Sequence, residues 1–211
     1  MEIRMLFIIS ISAIFINNFI FSRFLGLCPY IGVSKQLDSA VGMGAAVVFV
    51  MTLASTVTWL VYTYLLLPAQ TNLFYHLFSL KEPPDLTFLK TIAFILVIAS
   101  LVQFVEMVIQ KVSPALYKSL GIYLPLITTN CAILGVTLLN IDENYRFIEA
   151  IVNGFAAGVG FTLALFLMAG IREKLDLADV PKAMQGIPIA FITAGLMAIA
   201  FLGFSGLKLG M

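Results

Sequence analysis

The chain has 211 residues, 61% of them hydrophobic and 11% charged, with a mean hydropathy of +1.06. Soluble domains hold closer to about 45 to 50% apolar residues, so these values exclude a soluble fold and point to an all-α integral membrane protein. Twelve Lys and Arg against eleven acids leave a formal net charge of +1, which gives no field for a nucleic acid or an acidic surface.

A helix crosses a bilayer with about 20 apolar residues. Six stretches approach that length, at 6–21, 41–67, 86–109, 116–139, 147–171 and 187–207. The first is short if it stops at Phe21, but the chain is apolar again over 24–33 beyond Arg23, which predicts a broken helix. Arg4 ahead of this stretch could suggest a signal peptide, yet no small-residue cleavage site follows, and retention is expected.

Cys28-Pro29-Tyr30-Ile31-Gly32-Val33 comes next, followed by Ser34, and the pattern recurs as Cys131-Ala132-Ile133-Leu134-Gly135-Val136 before Thr137. The two copies hold both cysteines of the chain and stand 103 positions apart, near half its length, which suggests an internal duplication. Gly26, Pro29 and Gly32 around the first copy, and Pro125 and Gly135 around the second, are candidate interruptions of spans one and four.

Between spans two and three, Asn72 to Phe78 reads as an aromatic interfacial segment containing His76, and Lys81 to Asp85 as a turn. The third span carries Ile92-Ala93-Phe94-Ile95, repeated in the sixth as Ile189-Ala190-Phe191-Ile192, with Phe104 in register with Phe201. That offset is 97 positions, so two repeats are expected, 1–112 and 113–211. Three crossings in each half place the halves in opposite orientation, an inverted-topology repeat whose functional site lies near mid-membrane.

Seven basic residues fall on one side (Arg23, Lys35, Lys111, Lys118, Arg172, Lys174, Lys182) and five on the other (Arg4, Lys81, Lys90, Arg146, Lys208). The positive-inside rule makes the first side cytoplasmic and puts both termini outside. The run from Arg172 to Asp176 and on to Gln185 then reads as a cytoplasmic loop. Glu106, with Gln103 and Gln110 near the end of the third span, is either an interfacial anchor or an ion-carrying group. Asn17, Asn18, Thr128, Thr129 and Asn130 lie close to the cysteine motifs and could bond sulfur, line an ion route or join helices.

Two membrane cysteines admit three readings: a disulfide, packing as small apolar residues, or metal ligation. An iron–sulfur cluster generally needs four protein ligands, so two thiols make half a site. Arg23 is the basic residue nearest in sequence and could offset the charge of such a centre or snorkel to headgroups.

Phe24-Leu25-Gly26-Leu27-Cys28-Pro29 with Gly32-Val33-Ser34-Lys35, the run Leu124 to Ala132, and Ile171-Arg172-Glu173-Lys174 with Ala178-Asp179-Val180-Pro181 resemble the A-type family of the Rnf ion-translocating electron-transport complex. The related E-type family of the sodium-pumping NADH:quinone reductase is next. The resemblance covers essentially the whole chain, and the stretch between Pro68 and Leu86 is longer than that family usually carries.

The resemblance implies a multi-pass component of a Na+- or H+-translocating ferredoxin:NAD+ oxidoreductase in the inner (cytoplasmic) membrane, inactive alone. Cys28 and Cys131 would bind the iron of a [2Fe-2S] cluster shared with a homologous six-helix, E-like partner of opposite orientation. Other subunits would carry flavins and further clusters, because this chain has no flavin-attachment motif, no Gly-rich phosphate loop and no ferredoxin-type cysteine run. A secondary transporter, or a scaffold protein without a cofactor, remains an alternative from the residues themselves.

Overall fold

Backbone amides in hydrocarbon have no water to bond, so a chain this apolar must satisfy them within helices. The computed structural model describes residues 2–34, 37–67, 87–112 and 124–206, and among these all regular structure is helical. The segment around His76, the turn at 81–85, Lys35 and the start of the fourth stretch lie outside the described residues.

In chain order, α1 (Glu2–Ile11) runs through a π-helical turn (Ser12–Ile16) into a break at Asn17 and Asn18. Two short helices follow, α2 (Phe19–Arg23) and α3 (Leu27–Val33). The long α4 (Leu37–Val61) ends in a second π-helical turn (Tyr62–Leu66). After a 3-10 turn (Thr87–Leu89) come α5 (Lys90–Val112), α6 (Leu124–Thr128), α7 (Cys131–Asp142), α8 (Phe147–Asp176) and α9 (Ile187–Leu202). Among the described residues, Ser39–Leu66, Thr87–Val108 and Phe147–Asp176 are long and apolar enough to cross a membrane, while Ile3–Ile16, Leu126–Asp142 and Ile187–Leu202 are shorter apolar helices.

The centre is the pair α4 and α8. In lipid, apolar side chains gain nothing by leaving solvent, so close backbone approach through small residues carries much of the association. Gly44 faces Thr162, Val48 lies on Gly158, and Met51 and Ser55 lie on Gly154, so the two helices run antiparallel. A Cβ on Gly158 would sit 2.7 Å from the Val48 Cα. Large side chains such as Phe49, Leu96, Phe104, Phe155 and Leu196 are exposed on the outside, as hydrocarbon or a neighbouring protein requires.

Polar contacts gather at the two ends of the bundle. At one, Trp59 Nε1 donates to the Tyr145 carbonyl at 2.9 Å, Lys90 pairs with Asp142 at 2.8 Å, and Asn153 Nδ2 donates to Asn140 Oδ1 at 2.7 Å. Leu6 and Arg146 line one recess there. At the other end, Arg172 meets Ile31 and Ser34.

The expected cytoplasmic loop from Arg172 is corrected: α8 continues unbroken to Asp176, and the connection is 177–186. Nothing between Phe147 and Asp176 breaks a helix, and Pro181 is the first residue that would.

Gly158→Ala is expected to destabilise the folded protein by about 1 to 3 kcal/mol through overpacking. Gly195→Ala, where a Cβ meets nothing within 4 Å, is expected to stay within about 0.5 kcal/mol. Denaturation midpoints of the two purified variants check the contrast.

Candidate functional site

Cys28 is placed by two tight reversals. Phe24, with φ +54°, ends α2 in the left-handed region, where its amide reaches the carbonyls of Ile20 and Phe19. Gly26, with φ +81°, starts α3, and its carbonyl accepts from the Tyr30 amide at 3.2 Å. A left-handed residue at a helix start is tolerated at least cost by glycine. Cys28 is therefore the second residue of α3.

Cys131 is the first residue of α7, and Asn130 caps that helix, its Oδ1 accepting from the Ala132 amide at 3.0 Å. Such a cap satisfies one of the four free amides at a helix start. The Asn130 side chain is buried, and its Nδ2 has no hydrogen-bond partner among the described residues.

The two cysteine helices meet at their N-terminal ends. A Cβ on Gly26 would lie 2.7 Å from the Phe161 ring, 2.9 Å from Asn130 Oδ1 and 3.1 Å from the Ala132 Cβ. The motif glycines reach across as well. Gly135 packs under Leu25 and Phe19 of the first half, and Gly32 faces Leu126 of the second. Each copy of the motif thus uses its glycine for a contact with the other half.

Both thiols are unpaired and exposed. Neither is joined to the other in a disulfide. Cys131 Sγ has one long contact, 3.9 Å to the Thr129 carbonyl, and opens on a groove of about 390 Å³ lined also by Ile95, Ile98, Ala99 and Leu134. Among the described residues no group of three or more His, Cys, Asp or Glu side chains could hold a metal. Two soft sulfur donors near the starts of two abutting helices have the chemistry of half an iron–sulfur ligand set.

Several expectations need correction. Pro29 and Gly32 lie inside α3, Pro125 inside α6 and Gly135 inside α7; the breaks are at Asn17–Asn18, 24–26 and 129–130. Proline is tolerated in the first turn of a helix, where its missing amide would have had no partner. Arg23 is exposed, its guanidinium 5.8 Å from the Phe19 ring centre, as expected of a side chain that snorkels to headgroups; among the described residues Arg172 is a buried cation.

Asn18, one of several polar residues near the first motif, closes the first break. Its Oδ1 accepts from the Ile20 amide at 3.1 Å, while Nδ2 donates to the carbonyls of Ile14 at 3.0 Å and Gly160 at 2.8 Å. An Asn one residue before an apolar run is the sequence signal for both caps. The Asn17 side chain reaches Ser12, at 3.1 Å on the surface, and Glu106 is half-buried on α5, away from both cysteines in sequence.

Comparison with known proteins identifies the family. A family profile described as "Rnf-Nqr subunit, membrane protein" matches residues 6–208. The chain is 60% identical over 205 residues to the A subunit of the Na(+)-translocating ferredoxin:NAD(+) oxidoreductase complex of Acetobacterium woodii, covering 97% of this chain and 99% of that protein. It is 54% identical over 205 residues to the A subunit of the ion-translocating oxidoreductase complex of Syntrophotalea carbinolica, covering 97% and 98%. To the same-named protein of Serratia proteamaculans it is 53% identical over 197 residues, covering 93% and 94%. A helical, lipid-facing bundle with paired cysteine helices and matches along nearly its full length, this chain belongs to the Rnf-Nqr family of membrane subunits.

Proposed function

We propose that the chain is the A-type component of a redox-driven, ion-translocating ferredoxin:NAD+ oxidoreductase complex. In it, Cys28 and Cys131 supply two of the four protein ligands of an intramembrane [2Fe-2S] cluster. The observation that carries this reading is the abutment of the two cysteine helices at Gly26 with both thiols free and open to the outside. The names of the relatives support the complex; the donor set supports the cluster.

A bound cluster would supply one-electron transfer within the membrane. The chain's own residues hold the donors. Gly26 and Asn130 keep the helix starts in contact, and Phe161 of α8 backs them. The first-turn amides of α7 aim their partial positive charge at the place where anionic sulfur would sit.

The missing ligands would come from a homologous, E-like six-helix protein of opposite orientation docked against the exposed cysteine face. Flavins, further clusters, NAD+ and ferredoxin would reside on other subunits. The antiparallel α4 and α8, and the reciprocal glycine contacts, support two inverted three-span repeats, 1–112 and 113–211. The charge count supports an inner-membrane protein with the Arg172 end in the cytoplasm and both termini outside. The ion is Na+ or H+.

The test is the whole complex, purified with iron counting and electron paramagnetic resonance. Cys28→Ser and Cys131→Ser are each expected to abolish one [2Fe-2S] signal and lower iron by about two atoms per complex. Full iron and an unchanged signal in both variants would contradict the reading, as would solute uptake by the isolated chain. Gly26→Ala is expected to reduce the same signal by forcing the two helix ends apart. Gly186→Ala, equally left-handed at φ +85° but in open space, is expected to retain it.

A further inference from the structure

A buried cation lies at the far end of the helix that carries the first cysteine. Arg172 is 9% exposed, and its Nη1 donates to the Ile31 carbonyl at 2.8 Å and to the Ser34 hydroxyl at 3.3 Å. Ile31 belongs to the last turn of α3, whose carbonyls have no partner within the helix. A guanidinium there satisfies an orphan acceptor and complements the negative end of the helix. Both acceptors are neutral oxygens, and the nearby carboxylate is Asp176, one turn on along α8.

The helix needs such a hold. At seven residues, α3 spans about 10 Å, far too short to persist unaided. Two points on α8 fix it along its axis: the Phe161 ring under Gly26 at its start, and Arg172 at its end. Tyr30, fully buried with its hydroxyl 3.6 Å from Met197 Sδ, fixes its rotation against α9. Cys28 lies between the two axial points, three residues and about 4.5 Å of rise before Ile31. Cys131 has a different support, the Asn130 cap on the 12-residue α7.

We infer that Arg172 is a positioning residue for Cys28: by clamping Ile31 and Ser34 it sets where α3 presents its thiol, while Cys131 is held by the Asn130 cap of α7. This rests on the reading of Cys28 as a cluster ligand, but thiol access can be measured without iron, so the two can fail separately.

The experiment uses the full chain in membranes with one thiol at a time and N-ethylmaleimide as probe. In a Cys131→Ser background, Arg172→Gln is expected to speed modification of Cys28 by about tenfold, the scale of losing one charge-assisted hydrogen bond. Arg172→Lys should raise it less, because the ammonium still reaches the carbonyl. In a Cys28→Ser background the rate at Cys131 should not change. An unchanged Cys28 rate in Arg172→Gln overturns the inference, and so does an equal rise at both cysteines, which would mean general loosening. If Arg172→Gln fails to accumulate, Ser34→Ala, which removes one of the two acceptors, is read by the same criteria with a smaller expected rise.

In the intact complex, iron content should fall in the order wild type, Arg172→Lys, Arg172→Gln. Selective exposure of Cys28 with no iron in the wild type would uphold the clamp and remove the cluster. An unaltered thiol pattern with iron present would do the reverse.

Discussion

The contact between two helix starts at Gly26 is the constraint on which the rest of the site depends. A residue with a side chain would collide there with the Phe161 ring and the Asn130 cap, and would also be strained at φ +81°. Glycine alone meets both demands. Because the starts touch, the helices that carry two cysteines more than a hundred residues apart in sequence meet at their first turns.

Helix α8 is the rail that makes the contact possible. Along it, Gly154 and Gly158 admit α4, Gly160 admits the first break through Asn18, Phe161 backs Gly26, and Arg172 holds the end of α3. A bundle in lipid coheres through such steric fit and through hydrogen bonds that leave few polar atoms stranded. Each interruption is repaired locally: Asn18 makes three bonds at the first, the Leu25 amide returns to the Phe19 carbonyl at 3.0 Å at the second, and Asn130 caps the third. These repairs let the chain break its helices beside the cysteines without stranding the backbone amides.

Much of this is legible in the residues. Composition alone marks a membrane protein, and the repeated Cys-x-x-Ile/Leu-Gly-Val pattern singles out the helices that meet. The positions of the breaks are not legible from Pro29, Gly32, Pro125 and Gly135, because a proline in the first turn and a glycine under a neighbouring side chain are both compatible with helix. Gly26 does mark the break at 24–26, while the other two are marked by Asn18 and Asn130, whose capping role depends on which amides they face in three dimensions. Arg172 is hidden for a different reason. It opens a charged run that looks like a solvated connection, and only the packing of α3 against α8 turns it into a buried clamp.

Cys28 and Cys131, on this account, jointly grip half of an inorganic electron carrier at the face of a neighbouring protein. An experimental density map of the intact complex, sharp enough to resolve sulfur and iron, tests this most directly. The expected result is density for a two-iron cluster held by Cys28, Cys131 and two thiolates of the neighbour. Sulfurs pointing into lipid, or meeting the neighbour with no metal between them, would contradict it.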